Sequence, residues 1–284
     1  MSRYDVHAIT DYFEPWHRFK QPLVRQLAFS VASPNIILST PTALPLKHPF
    51  EWHSTLQWQQ HFQDYLPRLK QLDQNIYPLQ NFLNALKSTR LGLRFETLLW
   101  FWLTEADYHV YQLMGHSLQQ REGSRTLGEL DFLIKNTATN QIEHWEVALK
   151  YYLAENDYQL SDWFGLNRTD TLYKKLQHFT EKQFQFKHID HYMIDQRFAV
   201  MKGQLYLPLQ QQHPLPKWIN PQRRIGSWGN IMLPDYYRLQ RHEWICPNAT
   251  PSSPPAFWWT NGLYHHSQQP LDYMFRVPLQ RGMP

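Results

Sequence analysis

The sequence predicts an α/β protein in which helices cover a sheet. Three observations predict it. Residues 88–210 read as helix, three strands, helix, strand. Two of those strands alternate with period two around one short polar turn. The 284-residue chain is 42% hydrophobic and 18% charged, which excludes a disordered chain and supplies a sizeable core. Three regions are expected: residues 1–87 helical, 88–210 the α/β core, and 211–284 a Pro/Trp-rich extension packed on it.

In the first region, "QPLVRQLAFSVASPNIIL" places Leu23, Leu27 and Val31 at helical spacing, with Pro34 as a stop. "STLQWQQHFQDYLPRLKQL" repeats the pattern through Leu56, Phe62, Leu66 and Leu69. In the second, "RLGLRFETLLWFWLTEA" is a strongly apolar helix and "YHVYQLMGHSLQQ" a strand. "LGELDFLIKN" and "IEHWEVALKYYL" are half-buried strands. "NRTDTLYKKLQHFTEKQF" is a helix with Leu172, Leu176 and Phe179 in a stripe, capped by Asn167 or Thr169. "RFAVMKGQLYL" is a further strand. Past Gln210, frequent prolines rule out long helices, so short strands and loops packed by tryptophans are expected.

The candidate chemistry sits on the hairpin "GELDFLIKNTATNQIEHWEVALK". By alternation Leu130, Phe132 and Ile134 share one face with Trp145, Val147 and Leu149 across the turn. The opposite face carries Glu129, Asp131, His144, Glu146 and Lys150, so Asp131 and Glu146 face one space. Glu96 lies on the line of Leu93, Leu99, Trp100 and Leu103, where a bare carboxylate needs a partner or a cation. Arg90 or Arg94 could be that partner. Two or three carboxylates suit Mg²⁺ (or Mn²⁺), and a lysine beside them can orient water and offset phosphate charge. The plainer reading is a solvated face with cross-strand ion pairs.

Glu96, "GELD" ending at Asp131 and "WEVALK" ending at Lys150, on helix, strand and strand, resemble the PD-(D/E)XK nuclease-like superfamily with its restriction-endonuclease-like core. More closely, the chain resembles an uncharacterised bacterial family, a domain of unknown function, placed in that superfamily. "VRQLAFSVASP", "GLRFE" and "DWFGLNRTDTLYKKLQ" extend the likeness over most of the chain. The resemblance implies an Mg²⁺-dependent nuclease in which Asp131 and Glu146 hold metal, Glu96 supports them and Lys150 orients water. The superfamily places its third-strand acid two residues before the lysine. Here that position is Ala148, and Glu146 lies four before. The Glu146 and Lys150 Cα atoms would then be roughly 13 Å apart rather than roughly 7 Å. That offset favours the alternative, a binding module with the fold but no catalysis.

A net charge of +4 is compatible with a nucleic-acid partner. Arg168, Lys174 and Lys175 are the candidates for backbone contact, against an ordinary solvent-facing helix side. "HIDH" (His188–His191) lacks a third ligand for zinc. "AFWWTNG" could stack bases or form local core. There is no Gly-rich phosphate loop and no nucleophile elbow. Cys246 is the single cysteine, so no internal disulfide forms. With no secretory pattern at the start and no run long enough for a bilayer, a cytoplasmic protein is expected.

Overall fold

The structure is a computed structural model that describes residues 12–123, 125–210 and 213–277. Helix α1 (Pro22–Ala32) opens with proline at its first turn, where no intrahelical partner is needed for the missing N–H. It is buried on all sides from Val24 to Ala32, Arg25 and Gln26 included, so the single stripe read from Leu23, Leu27 and Val31 understates its burial. Helix α2 (Thr55–Gln74) starts at a capping box. Ser54 Oγ accepts from the Gln57 amide at 3.1 Å, and Gln57 Oε1 accepts from the Ser54 amide at 2.8 Å. Its buried face runs through Trp58, Phe62, Tyr65, Leu69 and Leu72, whereas Leu56 is exposed.

Helices α3 (Tyr77–Asn84) and α4 (Leu91–Thr104) complete this layer. In α4 the deepest residues are Phe95, Leu98, Leu99 and Trp102. Leu99 and Leu103 are buried but Leu93 is exposed and Trp100 half-buried, so the line carrying Glu96 runs along the edge of the buried face. A helix apolar nearly all round does not reveal which stripe is innermost.

The sheet contains β1 (Tyr111–Glu122), β2 (Arg125–Asn136), β3 (Gln141–Ala154), the two-residue β4 (Trp163–Phe164), β7 (Gln196–Pro208), β8 (Gly226–Gly229), β9 (Tyr236–Arg238), β10 (Gly262–His266) and β11 (Asp272–Phe275). Helix α5 (Leu172–Glu181) and a small hairpin of β5 (His188–Ile189) and β6 (Tyr192–Met193) lie between β4 and β7. The strand order is β1-β2-β3-β7-β8-β11-β10-β9, with β4 beside the end of β3. β1, β2 and β3 pair antiparallel; β3, β7, β8 and β11 run parallel. The expected order of helix, three strands, helix, strand is present in a large mixed α/β sheet. The segment past Gln210 continues that same sheet by four more strands.

Alternation sorts β3 and β7 between two cores. Trp145, Val147, Leu149, Phe198 and Val200 pack with α1, α2 and α4. Ala148, Tyr152, Ala199 and Met201 pack with Leu172, Leu176 and Phe179 of α5 and with Ile36, Ile37 and Phe50. Fully burying side chains of this size stabilises by about 1.5–3 kcal/mol each. The centre of the hairpin face expected to be either wet or metal-bearing is therefore covered, with Leu133, His144, Glu146 and Ala148 all buried, while Asp131 and Lys150 are half-buried and Glu129 is exposed. Leu130 packs with Leu133, Ile189 and Ile194 rather than with Phe132, because β2 leaves β3 beyond Phe132. Thr171, not Asn167 or Thr169, caps α5, accepting from the Lys174 amide at 3.2 Å.

On the α1 side of β7, Lys202 is fully buried. It donates to Ser33 O at the end of α1 and lies 3.3 Å from the Trp58 ring centroid. Burial and Arg223 hold its ammonium well below the usual lysine range. In the C-terminal part, Trp259 is core, stacked on Tyr264 at 3.9 Å, while Phe257 and Trp258 are 86% and 88% exposed. The tryptophans thus do not all serve the packing expected of them. No helix among the described residues is long and apolar enough to cross a membrane.

Gly203 faces Lys150 across the β3–β7 pairing, with φ +118°. A Cβ there would stand 1.9 Å from the Lys150 carbonyl oxygen. Gly203→Ala is therefore expected to destabilise the fold by about 2–4 kcal/mol in urea unfolding, by backbone strain and by pushing β7 off β3.

Candidate functional site

The site forms where the sheet opens. β2 pairs with the start of β3, from Asn136↔Gln141 to Phe132↔Trp145, and β4 pairs with its end, at Leu153 and Ala154. Between these ladders the next β3 amide, Val147 N–H, donates to Asp131 Oδ2 at 2.8 Å. A side-chain carboxylate takes the place of a strand carbonyl, and Asp131 is held beside Glu146 on the α5 side of β3.

Glu146 is completely buried. Its Oε1 lies 2.6 Å from His144 Nε2, and its Oε2 accepts from the Gln183 amide. Burial pushes its carboxyl up to about 8, against the pull of Lys175. Asp131 retains some exposed surface, but its carboxyl group is packed around; burial, then the Glu146 charge, hold it well above the carboxylate range. Each acid acts on the other's proton, so the pair titrates as a unit. His144 is pushed down to about 3 by burial, so its contact with Glu146 is a hydrogen bond between an imidazole and a carboxyl group, not an ion pair. His144 Nδ1 is buried with no hydrogen-bond partner among the described residues.

The lysine against this pair is Lys175, one turn into α5. Its Nζ donates to Gln183 Oε1 at 2.9 Å and lies 4.0 Å from the Phe179 ring centroid. Burial lowers its ammonium to about 8, while Glu146 and Asp131 pull the other way. Gln183 bridges Lys175 to Glu146. Lys150 instead meets Asp170 Oδ2 at 2.7 Å, and Tyr152 OH donates to the other oxygen of Asp170 at 3.3 Å.

Glu96 stands at the rim. Its Oε1 is 2.8 Å from His116 Nε2, and His116 stacks on Trp100 at 4.2 Å. Its partner is thus a histidine from β1. Of the two arginines considered, Arg94 is engaged with Gln26 Oε1 at 2.7 Å. The charge of Glu96 raises both Asp131 and Glu146. Among the described residues no three His, Cys, Asp or Glu side chains gather closely enough to hold a metal ion. The nucleus is a pair of acids, with Glu96 as a third at a distance.

The expected backbone contacts separate. Lys175 lies in the site. Arg168 is forked onto Glu155, with Nη2 to Oε2 at 2.8 Å, and covers the Phe164 ring. Lys174 is exposed and donates to Thr169 O at 2.9 Å. His188 and His191 are exposed on the β5–β6 hairpin. Sequence reasoning missed Gln183, Asp170 and His116 as partners. Asp170 could have been suspected from its place just before Thr171, the α5 cap; the other two carry no local signal.

The chain belongs to the family described as a domain of unknown function, DUF1853, whose profile matches residues 25–271. No curated protein and no solved structure matches it.

The raised acids tie stability to pH. Between the ordinary carboxylate range and about 8, Glu146 keeps its proton in the folded chain and loses it on unfolding. The folded state then binds more protons, so stability falls as pH rises through this window. In a chelator, Glu146→Gln should therefore gain on wild type between pH 6.5 and 8, by at most about 1.4 kcal/mol per pH unit. Urea unfolding at both pH values measures this, and a constant difference would contradict it.

Proposed function

We propose that this DUF1853 chain is a metal-dependent phosphodiesterase acting on nucleic acid, built on a restriction-endonuclease-like core. One observation carries the reading: Asp131 and Glu146 are buried side by side at a break in the sheet, with the Lys175 ammonium packed against them. The order of helix, three strands, helix, strand and the β1-β2-β3-β7 arrangement support the core assignment.

A hard divalent cation suits the donor set. The pair consists of hard oxygen donors, and its charge is relieved at present chiefly by holding protons. Asp131 and Glu146 would hold Mg²⁺ or Mn²⁺, with Glu96 as the third carboxylate available at the rim. The cation, when bound, would lower the pKa of a water and polarise a phosphoryl oxygen. The protein's own residues do the rest. Val147 N–H fixes the direction of the Asp131 carboxylate, and His144 with Gln183 fixes Glu146. Lys175, with an ammonium near neutrality, can hand a proton to a leaving oxygen or offset charge on phosphate.

The superfamily's lysine position is reassigned here. Lys150 is neutralised by Asp170, and Lys175 takes the place beside the acids. The second reading, a binding module without catalysis, is favoured by the absence of a three-carboxylate cluster among the described residues and by the engagement of both Glu146 oxygens.

Labelled single- and double-stranded DNA and RNA, incubated with Mn²⁺, should be cut by wild type. Asp131→Asn and Lys175→Met should each lose about 10²-fold or more in rate. Lys150→Met should lose much less. No cleavage of any substrate, together with no thermal shift on adding metal, would leave the binding module.

A further inference from the structure

A basic strip adjoins the acid pair, and none of its members is a residue for which the sequence suggested phosphate contact. Lys47 and His48 come from the segment before α2, Lys187 from the approach to β5, and Arg197 from β7. Hydrogen bonds draw the three segments together. The Glu51 amide donates to Arg197 O at 2.8 Å, and Arg197 Nη2 donates to Phe186 O at 2.7 Å, directly before Lys187. Lys47 and His48 amides donate to Thr180 Oγ1 at the end of α5, at 2.8 and 3.0 Å.

Burial first, then the charges of Lys47, Arg197 and Lys187, disfavour a proton on His48, which places the three cations around it. None of the four takes part in an ion pair among the described residues. The nearest acids along the chain are Glu51 to Lys47 and His48, Asp190 to Lys187 and Asp195 to Arg197, and the Glu51 contact with Arg197 is a backbone one. Asp195 is used by the Ile142 amide at 2.7 Å. Arg197 is half-buried, and its Nε is buried without an acceptor among the described residues. Lys47 and Lys187 are exposed.

Its position links it to the site. Arg197 lies opposite His144 in the β3–β7 pairing, and His144 contacts Glu146 at 2.6 Å. By contrast Arg168 is neutralised by Glu155, and Lys174 is turned back onto its own loop. The geometry points to Lys47, Lys187 and Arg197 as a phosphate-binding strip that holds nucleic-acid backbone beside the Asp131–Glu146 pair. This rests on the reading of that pair as a nucleic-acid site and names the contact through which substrate is held. Guanidinium and ammonium groups without competing carboxylates are what backbone phosphates select, and each contact releases counterions.

The test is fluorescence anisotropy of short labelled DNA and RNA with the full chain in EDTA, across a salt series, so that nothing is cut. The double variant Lys47→Gln/Lys187→Gln changes exposed side chains only and should fold as wild type. It should bind roughly tenfold more weakly, and the slope of log K against log salt should be shallower by about 1.4–1.8, two contacts' worth. Arg168→Gln and Lys174→Gln should bind as wild type. Unchanged affinity and slope in the double variant, equal losses in the Arg168 and Lys174 variants, or no binding by wild type at low salt would each overturn the strip. A chain that binds as described but never cuts with Mn²⁺ removes the nuclease reading and keeps the strip. A chain that cuts while the double variant binds as wild type does the reverse.

Discussion

The hydrogen bond from Val147 N–H to the Asp131 carboxylate is the constraint on which the site depends. It marks the point where the β2–β3 ladder ends, one residue from Phe132 on β2 and two past Trp145 on β3. A continued ladder would have given that amide a strand carbonyl and left the Asp131 side chain free to turn away. With the carboxylate as acceptor, the amide is satisfied and an acid is fixed inside the sheet's opening, next to Glu146. The same departure of β2 moves Leu130 to the Ile189–Ile194 cluster, so the hairpin of β5 and β6 closes over the gap that β2 leaves.

Once two acids share a buried space, the surrounding groups must divide the charge. There are two lysines within reach, and the structure uses them differently. Lys150 lies opposite Gly203, whose missing side chain lets β7 approach the Lys150 backbone closely. Its ammonium then meets Asp170, from the loop before α5. Lys175 descends from α5 on the other side, and Gln183, just beyond that helix, ties it to Glu146. The lysine whose charge acts on the acids thus comes from the helix, and not from the strand four residues beyond Glu146.

The strands and helices were legible because their periodicities differ, and the α5 stripe of Leu172, Leu176 and Phe179 is buried as the pattern requires. The facing of Asp131 and Glu146 was legible too, since a period of two fixes which side each points to. Burial was not. Alternating acids on a strand read as a solvated face, yet α5 and the residue 36–50 segment cover that face, and nothing local to the hairpin announces them. Partners were illegible for the same reason: His116 reaches Glu96 over 20 residues and Gln183 reaches Glu146 over 37. Within α4, where apolar residues surround the helix, even the choice of stripe had to come from tertiary packing, which left Leu93 outside.

Two buried titratable clusters flank the sheet, and their contrast bears on what the acid pair is for. On the α1 side, His53, His61 and Lys202 are all pushed towards their neutral forms by burial. There Lys202 meets the end of α1 and the Trp58 ring, and all three groups are sealed among helices. That cluster is explained by packing. The α5-side cluster is not so sealed: Asp131, Lys175 and Lys150 keep partial exposure around the fully buried Glu146, as does Glu96 on α4. Buried ionisable groups contribute little to stability compared with apolar groups of the same shape. A pair of acids held protonated beside a lysine near neutrality, at a rim open to solvent, therefore has no adequate structural reason. The basic strip of Lys47, Lys187 and Arg197 is joined to the pair through Arg197, which lies opposite His144, the neighbour of Glu146, so a polyanion held on the strip would run beside the element that carries the acids.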